Sequence, residues 1–194
     1  MEGWDRLYAT CQNCELCPLH EKRTNVVIGR GNRKADIMFI GEGPGFHEDQ
    51  QGLPFVGPAG QLLDKMLAAI DLSEDTVYIA NIVKCRPPGN RDPKPEEQAK
   101  CMAYLRYQLT LVRPKIIVAL GRIAAGAIVS GGENPYGEEF RITRHRGIWF
   151  ERKGIQLMAT YHPSALLRDE TKKRPAWEDF KSIKLRLGQL NIAD

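Results

Sequence analysis

Long apolar runs are missing from this chain of 194 residues. Nothing in it approaches the ~20 consecutive apolar residues that a membrane-spanning helix needs, so no membrane association is expected. The opening MEGWDRLYAT has no basic segment followed by an apolar one, and no secretory signal is visible there. The cytoplasm is the expected address, with nucleoid association whenever a nucleic acid is bound, and thiols stay reduced there. Internal repeats and low-complexity linkers are absent too, and without a linker the chain reads as one domain over 1–194. A strong charge of either sign is also missing: the net charge is +4, which permits a polyanionic partner without demanding one. No apolar stripe is left unexplained, so a monomer is expected. The five cysteines are an odd number, which argues against a disulfide framework.

What is present alternates. ADIMFIG (35–41), TVYIANIV (76–83), KIIVALG (115–121) and IQLMATYH (155–162) are short, nearly continuous apolar runs rich in β-branched residues. That is the pattern of strands covered on both faces. Between them lie helical patterns over 58–70, over 95–112 with Pro95 and acids in the first turn, after Gly121 through RIAAGAIV, and from about Trp177 to Leu190. RGIWFERKGIQL reads as a hairpin turning at Lys153 and Gly154. The alternation predicts an α/β fold, a three-layer α/β/α sandwich with a central, mainly parallel four-stranded sheet. Ligands of such sheets bind at the carboxyl ends of the strands.

The unusual residues fall at those ends. GEGPG follows the first run, Asn81 ends the second, and Tyr161-His162-Pro163-Ser164 ends the fourth. Glycines such as Gly41 and Gly43 let backbone approach a ligand closely. Glu42 is either a catalytic acid or a helix cap. Phe55, between Gly52, Pro54 and Gly57, is either core or a stacking platform for a flat ligand. Asn81 ends an apolar strand, where an unpaired amide costs roughly 1–3 kcal/mol, so it needs backbone partners or a matching ligand. His162 is a satisfied core histidine or a charge stabiliser. An aromatic face, an amide, a carboxylate and an imidazole at one rim suit a planar heterocycle with amide-like edges, as a nucleobase is.

Cysteines stand at 11, 14, 17, 85 and 101. Cys101 lies among apolar neighbours in a helical pattern and reads equally as a small hydrophobe. Cys85 opens CRPPGNRDP, a loop with no packing role for a thiol. Two of the first three with Cys85 and Cys101 make four thiolates, enough for tetrahedral zinc or a cubane iron–sulfur cluster. Spacing favours the larger cluster slightly and does not choose between Cys11–Cys14 and Cys14–Cys17. The basic groups Arg141, Arg144, His145, Arg146 and Lys172, Lys173, Arg174 read as solvated loops or as phosphate-contacting lips.

NCELC, GEGPG, FVGPAGQLLD, NIVKCRPPGNRDP and HPSALLR, in that order, resemble the uracil-DNA glycosylase superfamily. The resemblance is to its family 4, the iron–sulfur enzymes of bacteria and archaea, and it runs from about Cys14 to the last helix. It implies removal of uracil from double- or single-stranded DNA. It also implies a structural [4Fe–4S] cluster on Cys14, Cys17, Cys85 and Cys101, with Cys11 a bystander. Phe55 would stack on the flipped uracil, Asn81 would read its N3–H and O4, and His162 would reach O2. Glu42 would position water or stabilise the sugar cation, because the aspartate of the best-known relatives is matched here by Gly43. Glu48 would stand beside C5 and exclude the thymine methyl. Leu166, with Leu167 next in line, would be the wedge that fills the place of the extruded base. Lys84, Arg86, Arg91, Ser164 and Arg168 would face DNA. Covalent trapping through a histidine, as in some relatives, is not expected, since GNRDPKPEE has none. A pocket-bearing module without activity is the other alternative, and Phe55, Asn81 and His162 speak against it.

Overall fold

The computed structural model describes residues 3–129 and 140–192. One sheet organises them, with strands β1 (Arg30–Gly31), β2 (Ile37–Gly41), β3 (Val77–Asn81), β4 (Ile116–Leu120), β5 (Trp149–Arg152) and β6 (Ile155–Thr160) in the order β1-β3-β2-β4-β6-β5. The four runs anticipated as strands form its centre, β3-β2-β4-β6, and all pair in parallel. Every residue of β2, β3 and β4 is buried, which is why these segments carry no polar alternation.

The side chains of these strands part to two faces. Met38, Ile40, Tyr78, Ala80, Ile117 and Ala119 pack with Cys101, Leu105 and Val112 of α4 (Pro95–Val112) and with Ala124 and Ala125 of α5 (Gly121–Val129). Ile37, Phe39, Val77, Ile79, Ile116 and Val118 pack on the other side with Leu63 and Leu67 of α3 (Pro58–Ala68) and Phe180 and Ile183 of α8 (Lys173–Ile192). Helices therefore cover both faces, and the three layers follow.

The expected four-stranded sheet is corrected to six. β5 is the first arm of the anticipated hairpin and pairs antiparallel with β6. Its turn has φ of 53° at Lys153 and 77° at Gly154, both positive, as a two-residue turn matching strand twist requires. β1 adds an antiparallel edge beside β3 through only two residues, too short to leave a periodic trace. Also beyond the sequence expectations are α1 (Trp4–Gln12) and three short helices, α2 (Phe46–Gln51), α6 (Ile142–His145) and α7 (Pro163–Arg168). α1 lays Leu7 and Cys11 against Tyr104, Tyr107 and Leu111 of α4. The last helix starts at Lys173 rather than Trp177, with Pro175 in its first turn. Among the described residues no helix is long and apolar enough to cross a membrane.

Candidate active site and cysteine cavity

The carboxyl ends of β2, β3, β4 and β6 open into one cleft of about 660 Å³. Its walls include Glu42, Gly43, Glu48, Phe55, Asn81, Arg91, His162, Ser164 and Arg168, so the sheet brings together most of the residues singled out from sequence. Gly41, at the end of β2, lies against the side chains of Asn81 and Phe55. A Cβ there would lie 2.5 Å from Asn81 Oδ1 and 2.6 Å from Phe55 Cζ, so only glycine lets the two side chains meet above it.

Asn81 is buried, and its Oδ1 has no hydrogen-bond partner among the described residues. An acceptor left so in the interior is costly until a donor from outside satisfies it. Its backbone carbonyl is fixed by Lys84, whose Nζ donates to Asn81 O at 2.7 Å and to Gln108 Oε1 at 2.5 Å. Gln108 Nε2 in turn donates to Ile28 O and to the Tyr78 hydroxyl. Lys84 is thus not at the DNA-facing surface, as expected, but wholly interior, and burial pulls its ammonium pKa down to about 8. The NIVKC run carries no sign of this, because a lysine beside a loop reads as solvated. Gln108 did leave a signal: it sits in phase with Cys101, Leu105 and Val112 on the buried stripe of α4.

Phe55 holds φ at 56°, a left-handed conformation that a phenylalanine adopts only when held. Glu48 holds it from one side: Oε1 accepts from Val56 N at 2.9 Å and Gly57 N at 2.8 Å, and Oε2 accepts from Gly45 N. Arg30, from β1, donates to Phe55 O at 3.3 Å while pairing with Asp64 and Glu74. The Glu48 carboxylate is therefore a fixed wall of the cleft.

His162 caps α7. Ser164 N donates to its Nδ1 at 3.1 Å, and Ser164 Oγ lies 2.8 Å from the same atom. A backbone N–H can only donate, so Nδ1 keeps its lone pair and the ring proton belongs to Nε2. Burial, and then the Arg168 guanidinium, lower the imidazole pKa to about 4, so the ring is neutral at ordinary pH. Gly121 makes room behind it, since a Cβ there would lie 2.8 Å from His162 Cβ. The Glu42 carboxyl moves the opposite way. Burial and the nearby Asp92 raise it to about 7, against Arg122 and Arg168.

Two expectations at the rim are altered. Leu166 is buried with Tyr161 and Ala176, because α7 docks that side chain inward; Leu167 is the leucine that projects, 49% exposed. Arg91 does line the cleft, but it forks onto Glu97 at 2.9 and 2.7 Å. Of the basic groups, Arg146 turns inward to Asp179, Lys172 pairs with Asp169 and Lys173 with Glu170. Sequence reading also missed the Arg122–Asp92 pair, 2.6 Å apart, at the cleft mouth.

All five cysteines line a second cavity, enclosed by the amino-terminal segment, the loop after β3 and α4. Arg23 ties its parts together, donating to Cys85 Sγ at 3.3 Å, to Cys14 O at 2.7 Å and to Gln12 O. The Lys84 N–H donates to Cys101 Sγ at 3.2 Å. Burial raises the thiols, Cys11 to about 12 and Cys101 to about 11, with Cys17 and Cys85 also pushed up. Among the described residues no three His, Cys, Asp or Glu side chains are already gathered as a metal site. The donor set nonetheless suits a thiophilic metal or cluster, because N–H donors already address two of the sulfurs and a bound cation would favour the thiolates that burial opposes.

A model of the uracil DNA glycosylase superfamily matches residues 28–181. The chain belongs to this superfamily. It is 46% identical over 188 residues to the type-4 uracil-DNA glycosylase of Archaeoglobus fulgidus, covering 94% of this chain and 92% of the relative. The type-4 enzyme of Thermotoga maritima is 44% identical, with 89% and 88% covered. A type-5 uracil-DNA glycosylase of Pyrobaculum aerophilum is 34% identical over 70% of this chain and 64% of its own length. The resemblance to family 4 drawn from five motifs is borne out.

In this glycosylase the depressed imidazole has a direct signature. The His162 ring is expected to titrate with a midpoint near pH 4 by NMR. Because the unfolded ring takes its proton near 6.5, stability contributed by this group is lost as pH falls from about 6.5 towards 4. Urea unfolding across that range checks the sign, and in His162→Gln that part of the pH dependence is absent.

Proposed function

We propose that this chain hydrolyses the N-glycosidic bond of uracil in DNA, leaving an abasic site and so initiating base excision repair. The observation that carries the reading is the buried, unpartnered Asn81 Oδ1 beside the held ring of Phe55. Uracil N3–H is the donor that oxygen lacks, and Asn81 Nδ2 donates to O4 of the same base edge. Cytosine presents an acceptor at N3 and donors at C4, and both contacts fail. Glu48, fixed by three backbone N–H groups, stands against C5, where the thymine methyl would clash.

Bond cleavage leaves negative charge on the departing base. His162, neutral with its proton on Nε2, donates to O2 as that charge grows, which needs no proton transfer from an imidazolium. Glu42 orients the attacking water or faces the cationic sugar. Gly43 carries no carboxylate to share this duty, and Asp92 is engaged by Arg122. Arg86, Arg91, Ser164 and Arg168 serve as the DNA-facing polar groups, and Leu167 replaces Leu166 as the wedge that offsets part of the unstacking cost of a few kcal/mol. The enzyme acts as a monomer where prokaryotic DNA lies, in the cytoplasm.

We further infer a [4Fe–4S] cluster held by Cys14, Cys17, Cys85 and Cys101. When bound it would supply a rigid cross-link between the amino-terminal segment and the loop after β3. Cys11, packed beside Leu7 and Ile28, stays outside it.

An oligonucleotide with one uracil, treated with the protein and then with alkali, is expected to break at that position, while a thymine control stays whole. His162→Ala is expected to lose about 100- to 1,000-fold in single-turnover rate. Retention of near-normal rates by that variant would remove His162 from the chemistry.

The raised Glu42 carboxyl is ionised only above about pH 7. The rate is therefore expected to rise with pH through about 7 in the native enzyme and to lose that limb in Glu42→Gln.

Purified protein is expected to contain about four irons and acid-labile sulfide per chain and to be brown. Cys101→Ala should lose them and Cys11→Ala should keep them. Colourless protein with one zinc per chain would overturn the cluster.

A further inference from the structure

One feature of the cleft rim takes no part in reading or releasing uracil. Phe46, the first residue of α2, is 52% exposed, more than any other phenylalanine among the described residues, yet it lines the cleft. Its ring is not loose. The Arg86 guanidinium sits over it, 5.1 Å from the ring centre, and Arg86 is itself anchored through Nε to Asn90 Oδ1 at 2.7 Å. His47 meets the ring edge-on at 5.6 Å and 79°. One face is thus occupied by a cation, the imidazole stands roughly perpendicular to the ring, and Phe46 lines the cleft while staying exposed.

Strand order sets which side it stands on. Phe46 follows β2 and leans on the loop after β3, whereas α7, with the exposed Leu167, follows β6. β4 lies between these halves, so the two exposed apolar side chains belong to elements that follow strands on opposite sides of β4. A flipped nucleotide entering between them leaves a neighbouring base unstacked on each side. Leucine can only fill a gap. A phenylalanine backed by a guanidinium can stack, since a cation on one face and a base on the other both suit an aromatic ring.

We propose that Phe46, steadied by Arg86, is a base-stacking platform for the nucleotide flanking the extruded uracil, across β4 from Leu167. It is a substrate-positioning residue for DNA and makes no contact with the uracil itself. The proposal rests on the uracil-excision reading of the cleft, so its test separates binding from excision.

Oligonucleotides carrying 2′-fluoro-deoxyuridine, whose glycosidic bond resists hydrolysis, would carry 2-aminopurine either 5′ or 3′ to it. Binding of the native protein is expected to quench the 2-aminopurine on one side by stacking. Phe46→Ala should weaken binding about 5- to 50-fold and abolish that quenching, while Phe46→Trp restores both and Phe46→Leu restores neither. With ordinary uracil substrate the loss should fall on KM rather than kcat. Equal affinity of Phe46→Ala and native protein, or full restoration by Phe46→Leu, would overturn the platform. A native protein that binds these oligonucleotides but never releases uracil from the ordinary substrate would defeat the excision reading and leave the Phe46 comparison standing.

Discussion

The Lys84 ammonium is buried between the backbone carbonyl of Asn81 and the side chain of Gln108, and the five residues from Asn81 to Cys85 depend on how it is held. Asn81 must present its amide to the cleft, and Cys85, only four residues later, must present its thiol to the cysteine cavity. Lys84 folds back on its own strand end and gives its backbone N–H to Cys101 Sγ, so one residue addresses both sites. A buried charge without a carboxylate is expensive, and its retention implies that a shift of this segment costs more. Gln108 makes the arrangement possible, since its amide accepts from the ammonium and donates to Ile28 O and the Tyr78 hydroxyl, leaving none of these groups unpaired.

The turn at Phe55 shows the same economy with the opposite charge. Three backbone N–H groups converge on the Glu48 carboxylate, and the strained φ of Phe55 survives because both ends of its peptide neighbourhood are held. On the proposed reading of the cleft, rigid placement matters more here than in most pockets. Uracil and cytosine differ by the direction of two hydrogen bonds, and an amide free to rotate would accept either. Gly41 beneath, Phe55 beside and the Lys84 contact behind limit where Asn81 can go.

Much of this was legible in the sequence where the physics is local. Buried parallel strands need apolar runs, so β2, β3, β4 and β6 announced themselves, and Pro95 with its acids marked the start of α4 to the residue. The cleft residues were legible because strand ends are where a parallel sheet places them. The fate of Lys84 was not, since only the fold decides whether a basic residue next to a loop is solvated. Leu166 and Leu167 were equally indistinguishable: adjacent residues of one helical turn differ only in which way the helix docks, and Tyr161 and Ala176 settle that from a distance. β1 is two residues long and Phe46 opens a helix of six, too little chain for periodicity to register.

The cleft draws Gly41, Asn81, Gly121 and His162 from successive strand ends spaced about 40 residues apart along the chain, so it is made of contacts distant in sequence, the kind that form late in folding. A ribosome that has released only the first three of these ends has made the Asn81 amide without the His162 imidazole that shares its cleft. The cleft is therefore complete only once β6 and α7 have been made. Until then the emerging chain carries the other strand ends of a cleft that still lacks one wall.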